Sequence, residues 1–414
     1  MTDATTPARS RTVPGALLAA AAVLGAVPLF IAALLVTAGA TGNAILSYAV
    51  AALIAFLIAT IGARRRSIPA CIRAGLSLAI SAALCGAWFG APVSATAKPD
   101  SAAVQYWDLP TGSRIGYVRM ADKVTHPEPV VLVHGGPGAP SSGNDRFARL
   151  LAAAGFAVYD YQQVGSGQSS RLEPGEYTVA RHVADLEAIR QKLAAPTMVL
   201  VGSSWGGQLT AEYLAAHPGK VAKAIVASPG AMSGDSFGDG SLTPGGRQDQ
   251  SDRLTANKRF AATFFLGQAG GLRAATTLMS DHTADGLYQQ FVSSLNMSSG
   301  CGTAAEVHVR PAGYGLWANI ATLRSAAKTP DPRPKLRHDA TPLLVLRAQC
   351  DYLSWEVTRD YRDTFPRAVM QTIDGAGHTV LADKPDETGL AAVAFLTGKA
   401  LPAKPYLAAE EPWS

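Results

Sequence analysis

Across the first 97 residues there is no Lys, no Glu and no His, and the charge there is six Arg against a single acid, Asp3. So little charge cannot solvate a domain of that size, and no polar face recurs at helical spacing, which argues against buried helices of a water-soluble domain. Cysteine is equally scarce, with four in 414 residues, and no Cys and His fall at metal-ligand spacing, so neither a metal nor another cofactor is expected. A basic catalytic surface is missing as well. The net charge of +5 is carried entirely by residues 1–97, and the remainder is formally neutral, which excludes a nucleic-acid partner.

What fills the front is apolar. Val13–Ala38, Ala44–Ile61 and Ala74–Val93 each approach the roughly 20 residues that a helix needs to cross a bilayer, so three transmembrane helices are expected in a membrane module over 1–97. Arg9 and Arg11 precede the first span, and Arg64, Arg65, Arg66 and Arg73 lie between the second and third. The excess of arginine on those flanks puts them in the cytoplasm and everything after the third span outside, a multi-pass protein of the cell membrane with an extracytoplasmic catalytic part. In a competing reading, Ala95-Thr96-Ala97 is a cleavage site and the catalytic part is released after export. An oxidising compartment allows Cys301 and Cys350 to pair, without showing that they meet.

From 98 to 400 the pattern changes to short β-branched runs alternating with helical periodicity. Strands are expected near Gln105–Leu109, Arg114–Met120, Val130–Val133, Ala157–Tyr161, Met198–Val201, Ala222–Ala227, Leu343–Arg347 and Val369–Ile373. Such alternation predicts an α/β fold with a mainly parallel sheet covered by helices. A helical lid, 230–340, interrupts it, being too long for a loop. Residues 401–414 are left as a C-terminal tail.

Everything is organised around Gly202-Ser203-Ser204-Trp205-Gly206-Gly207, between a buried strand and a helix. A strand, a sharp turn and a helix with Ser at the apex resemble the nucleophile elbow of α/β-hydrolases, which makes Ser204 the candidate nucleophile. His134-Gly135-Gly136-Pro137-Gly138 directly follows the third strand. Its N–H groups, Gly136 with Gly135, would combine with the N–H of Trp205 as an oxyanion hole, leaving His134 a structural role. In chain order the orienting acid and the base follow the nucleophile, which points to Asp351 after the seventh strand and His378 after the eighth. Asp360, on a helix, and Asp374, at a strand end, are weaker candidates for the acid.

These motifs, with Gln163, Gly165-Ser166-Gly167 and the His217-Pro218 helix end, resemble the proline iminopeptidase family over roughly residues 100–400. The resemblance implies an α/β-hydrolase fold and a serine peptidase that removes an N-terminal residue such as proline. The family usually reads Asp-Gln-Arg-Gly where this chain has Gln162-Gln163-Val164-Gly165, and its lid supplies acidic groups for the substrate's amino terminus. Here residues 231–338 hold a single Glu, Glu306, with Asp235, Asp239, Asp249, Asp252, Asp281, Asp285 and Asp331 as substitutes.

The function expected is therefore a membrane-anchored aminopeptidase acting on a peptide, with a lid carboxylate near Ser204. The alternative is an esterase, lactonase or amidase acting on a small molecule, which expects an apolar pocket without that carboxylate. A non-catalytic membrane protein that merely retains the fold is disfavoured by the intact Ser204, Asp351 and His378 set.

Overall fold

Val-Val-Leu-Val at 130–133 and Met-Val-Leu-Val at 198–201 are apolar on both faces, as strands must be when helices cover both sides of a sheet. In a computed structural model both runs are fully buried and lie side by side. The structure describes residues 15–61, 69–91, 93, 104–140, 145–234, 242–295 and 313–413.

One sheet of eight strands contains them: β1 (Gln105–Asp108), β2 (Arg114–Met120), β3 (Val130–Val133), β4 (Val158–Tyr161), β5 (Met198–Ser203), β6 (Val221–Ala227), β7 (Leu343–Cys350) and β8 (Ala368–Gly377). Their order is β1-β2-β4-β3-β5-β6-β7-β8. Only the β1–β2 and β2–β4 pairings are antiparallel; from β4 to β8 all neighbours run parallel. The carboxyl ends of β3, β5, β7 and β8 therefore open on one edge, the edge where open parallel sheets bind ligands. Below it, Val130, Leu132, Val199, Val201, Ile225, Leu344 and Leu346 form the core with Phe147 and Leu151 of the helix Asp145–Ala153.

Among the described residues, the insertion between β6 and β7 is mostly helical. It includes Pro244–Ala256, Lys258–Leu266, Asp281–Ser294 and Leu316–Ala326. Local chemistry sets the joints: Thr243 Oγ1 caps the first by accepting from Gly246 N, and Asn257 Oδ1 caps the second by accepting from Phe260 N.

The chain divides into two compact units. One combines Met1–Pro92 with Ala269–Thr283, and the other combines Val93–Gln268 with Ala284–Ser414. Within the range 230–340 expected as a lid, Ala269–Thr283 groups with the N-terminal helices.

That first unit holds the helices Gly15–Thr41, Ala44–Ile61 and Ala70–Cys85, the last continuing through a wider turn to Gly90. The first two are joined by two residues, Gly42 and Asn43. Gly42, at φ 66°, ends one helix, and Asn43 Oδ1 caps the next by accepting from Leu46 N. Small side chains are buried in i, i+4 rows, Ser47, Ala51 and Ala55 on one helix and Ser77, Ser81 and Cys85 on another. Large ones such as Leu53, Phe56, Leu57, Leu76 and Leu84 are exposed. The helix Leu272–Leu278, from the insertion, packs on the far end of the first helix, where Gly39 lies against Ala274.

Of the three expected membrane spans, one among the described residues is a helix long and apolar enough to be a candidate. Ile72–Gly90 qualifies, with 19 residues and a mean hydropathy of 1.5, whereas Gly25–Thr41 and Ala44–Ile58 are apolar but shorter. The Arg64–Arg66 cluster, Ala95-Thr96-Ala97 and Cys301 lie outside the described residues. Cys350 is disulfide-bonded.

Candidate active site

β5 passes into the helix Trp205–Ala216 through Ser204 alone, and that serine is held at φ 54°, ψ −123°. A non-glycine residue there is strained by about 1–3 kcal/mol and persists only where its surroundings enforce it. They do so through three backbone bonds. Ser204 N donates to Ala227 O (3.1 Å), while Ser204 O accepts from Gly207 N and Gly230 N, each at 2.8 Å. The glycines make the turn possible, since a Cβ on Gly206 would collide with the Val133 carbonyl and one on Gly202 with the Gly206 carbonyl.

Asp351 follows β7 and His378 follows β8, and the pairing of Cys350 with Gly377 brings them together. His378 Nδ1 donates to Asp351 Oδ1 at 2.7 Å, and the Leu353 N–H donates to the same oxygen at 3.0 Å. Both side chains are buried. Burial pushes the Asp351 carboxyl up, but His378, Arg347 and the Leu353 N–H outweigh it and hold it below the usual range. With its Nδ1 proton committed to Asp351, His378 presents Nε2 as a base. That nitrogen is buried and has no hydrogen-bond partner among the described residues. Ser204 and His378 line one cavity without being bonded to each other in this state. The ring of Tyr352 lies 4.2 Å from the imidazole, centroid to centroid.

The glycine loop after β3 reaches the same place. A Cβ on Gly135 would stand 3.0 Å from Ser204 Cβ, and Gly136 sits at φ 114°, a conformation that favours glycine. His134 does not act on the cavity. Its Nε2 accepts from Gln163 N (2.9 Å), which leaves the proton on Nδ1 to donate to Gly135 O (2.9 Å). Burial lowers it to about 4, so the ring is neutral at physiological pH. Gln163 then spans both halves of the expected oxyanion hole: its Nε2 donates to His134 O (2.7 Å), and its Oε1 accepts from Trp205 Nε1 (2.9 Å). Trp205 opens its helix, so its own N–H lacks an intrahelical acceptor.

Three residues that support the site, two of them by holding this loop, carry no sequence signal for that role. Tyr288 OH donates to Pro137 O (3.0 Å) and accepts from Asn319 Nδ2 (2.8 Å), which also donates to Pro137 O (3.0 Å). Both lie in the helical insertion, where sequence offers no register against the loop. The third is Arg347, which bonds near Asp351. A charge inside an otherwise apolar strand was its one visible mark.

The cavity is about 480 Å³. Its walls are aromatic and aliphatic, Leu254, Phe260, Phe264, Phe291, Leu295 and Leu323, with Ser204, His378, Asn319 and Gln250 among its polar lining. Among the described residues no Asp or Glu lines it. Three of the carboxylates considered for a substrate's amino terminus are engaged elsewhere, Asp285 with Arg171 (2.8 Å), Asp331 with Arg333 (2.7 Å) and Asp249 with Arg253 (3.1 Å), while Asp281 stands in the first turn of the helix Asp281–Ser294 and does not line the cavity. Asp252 accepts from Gln248. Glu306, Asp235 and Asp239 lie outside the described residues. The rival acids are also occupied, Asp360 by Arg333 and Asp374 by Trp413.

Proline iminopeptidase of Lactobacillus helveticus is 26% identical over 274 residues, 66% of this chain and 90% of that protein. The enzyme of the same name from Levilactobacillus brevis is 26% identical over 65% of this chain and 88% of its own. Among solved structures, proline iminopeptidase of Mycobacterium smegmatis superposes with a TM-score of 0.46 at 20% identity, over 71% of this chain and 98% of that one. The alpha/beta hydrolase fold family model matches residues 128–385, more than half of the sequence, and the chain belongs to that family.

Proposed function

We propose that the chain is a serine hydrolase that cleaves an apolar ester or amide through an acyl-enzyme. The observation that carries this is His378, bonded to Asp351, lining one cavity with a strained Ser204. His378 Nε2 takes the Ser204 hydroxyl proton as Oγ bonds the substrate carbonyl carbon, and Asp351 stabilises the imidazolium. The N–H groups of Trp205 and Gly136, with Gly135, receive the negative oxygen. On collapse the carbonyl–heteroatom bond breaks and His378 returns the proton to the leaving alcohol or amine. Water then repeats the sequence on the acyl-Ser204. No cofactor enters any step.

The wall of the cavity favours a substrate that is uncharged and apolar next to the scissile bond. A second reading, an aminopeptidase that removes an N-terminal residue such as proline, is supported by relatives 26% identical over nine-tenths of their length. It requires a group for the substrate ammonium beyond the described cavity lining. One panel separates them: acyl esters of graded length beside aminoacyl and prolyl naphthylamides, with Ser204→Ala as control. Ester turnover alone supports the first reading, and prolyl amide turnover that is lost in the variant supports the second. Activity surviving Ser204→Ala sinks both.

The N-terminal unit reads as a three-span membrane anchor with the catalytic part outside the cytoplasm. The helices Ala44–Ile61 and Ala70–Cys85 bury rows of small side chains and expose large apolar ones such as Leu53, Phe56 and Leu76, the arrangement that packs helices in lipid, although the first helix also buries Phe30 and Leu34. The uncharged Gly42–Asn43 turn is then extracytoplasmic. The helix Leu272–Leu278, covalently part of the catalytic insertion, packs at that end of the first helix, in agreement with this orientation. Retention of the full chain in the membrane pellet after alkaline carbonate washing is expected; its release would contradict the anchor.

A further inference from the structure

Arg347 is an anomaly of β7. Its guanidinium is 1% exposed, in the middle of an apolar strand, and a buried charge without partners would cost several kcal/mol. Asp351 Oδ2 lies 3.6 Å from Nη1, too far for a hydrogen bond. The short contacts go elsewhere. Nη1 donates to Leu353 O at 2.9 Å, and Nη2 donates to Glu411 Oε1 at 2.8 Å.

Glu411 belongs to the C-terminal tail, which is a strap rather than a loose end. Gln371 Nε2 donates to Ala403 O, Tyr406 N to Met370 O, and Trp355 Nε1 to Ala409 O. Beyond Glu411, Trp413 Nε1 donates to Asp374 Oδ1 at 2.8 Å. Anchors on both sides thus hold Glu411 in place, and several of them lie on β8 or on the helix Trp355–Thr364, which starts four residues after Asp351.

We propose that Glu411 is a positioning residue of the catalytic triad, acting through Arg347 to decide how much of the Asp351 negative charge is left for His378. This rests on the hydrolase reading above. One guanidinium sits between two carboxylates. While Glu411 takes its Nη2 face, Asp351 keeps Oδ1 for His378 and the Leu353 N–H. Removing the Glu411 charge leaves Arg347 uncompensated, draws it towards Asp351 and disfavours the imidazolium. Other charges nearby do not substitute. On the helix Trp355–Thr364, Arg359 and Arg362 face Asp363 and the carbonyls of Ala409 and Ala408, Glu356 stands in the first turn, and Asp374 of β8 is taken by Trp413. Glu410 next to it contributes its carbonyl to Tyr406 OH.

The test is the pH dependence of Ser204 phosphonylation by a fluorophosphonate probe in the full chain, which reads the triad whatever the substrate. In Glu411→Gln the acid limb is expected to move down by about half a pH unit. The plateau rate should fall roughly threefold as the base weakens. Glu411→Asp should restore most of both. Trp413→Phe, which loosens the strap but keeps the carboxylate, should lower the melting temperature and leave the limb in place. A folded Glu411→Gln protein with the wild-type profile overturns the proposal, as does a Trp413→Phe variant that reproduces both shifts. Should the Gln variant not fold, Glu411→Ala takes its place: the same two shifts support the proposal, and a wild-type profile overturns it. A wild-type chain that the probe does not label overturns instead the hydrolase reading beneath it.

Discussion

Glu212 offers a sharp test of the packing behind Ser204. It lies two turns along the same helix, is 8% exposed, and its Oε1 has no hydrogen-bond partner among the described residues. Burial, reinforced by Asp331 and partly offset by Lys335, pushes its carboxyl up to about 7, against 4.5 in the unfolded chain. The folded state therefore holds a proton that the unfolded state releases. This stability is fully present below the unfolded value, is lost as pH rises from 4.5, and is gone once the pH has passed about 7. At 1.36 kcal/mol per unit the span corresponds to about 3 kcal/mol, and solvent screening of a partly buried group brings it nearer 2.

Glu212→Gln keeps the shape and removes the titration. Its melting temperature should equal that of wild type near pH 4.5 and exceed it at pH 8 by about 3 °C, for a catalytic unit of this size. Thermal unfolding of both proteins, followed by circular dichroism across pH 4.5 to 8, measures the difference and cancels every other titrating group. Parallel curves would refute the reasoning, because they would mean that Glu212 is solvated or paired in the folded protein.

Three further outcomes are expected. Asp351→Asn should leave substrate binding near wild type and lower kcat by about 10³–10⁴, since it holds the wrong imidazole tautomer; steady-state kinetics on an ester substrate measure it. Gly206→Ala should abolish folded expression or activity, because its Cβ has no space beside the Val133 carbonyl; a folded, fully active variant would contradict the described elbow. Non-reducing peptide mapping by mass spectrometry should find Cys350 linked to Cys301, the other cysteine after residue 97; a Cys350 peptide with any other partner would refute that pairing.

How much of this was legible follows from the range of the forces involved. Strand positions came through because apolar runs such as Val130–Val133 and Leu343–Arg347 can be buried in few ways, and β7 and β8 merely continue a few residues further, to Cys350 and Gly377. The elbow was legible for a different reason. Gly202, Ser204 and Gly206 are dictated by backbone clearance within a few residues, so the constraint is local and is written where it acts.

The groups that tune the site are not written that way. Tyr288 and Asn319 meet Pro137 across 151 and 182 residues, and Glu411 meets Arg347 across 64. A tyrosine or asparagine on a helix carries no mark of which distant carbonyl it will reach, and a glutamate in an aperiodic tail looks solvated. The lid carboxylates illustrate the converse. Asp249, Asp285 and Asp331 were visible as charges and expected near the substrate, yet each is held by an arginine, two of them only two or four residues away and the third across 114. Counting charges in an insertion therefore says little about the charge a ligand meets there. What remains facing the cavity is the aromatic wall of Phe260, Phe264 and Phe291, and it is this wall, rather than the count of acidic residues, that should govern which substrates reach Ser204.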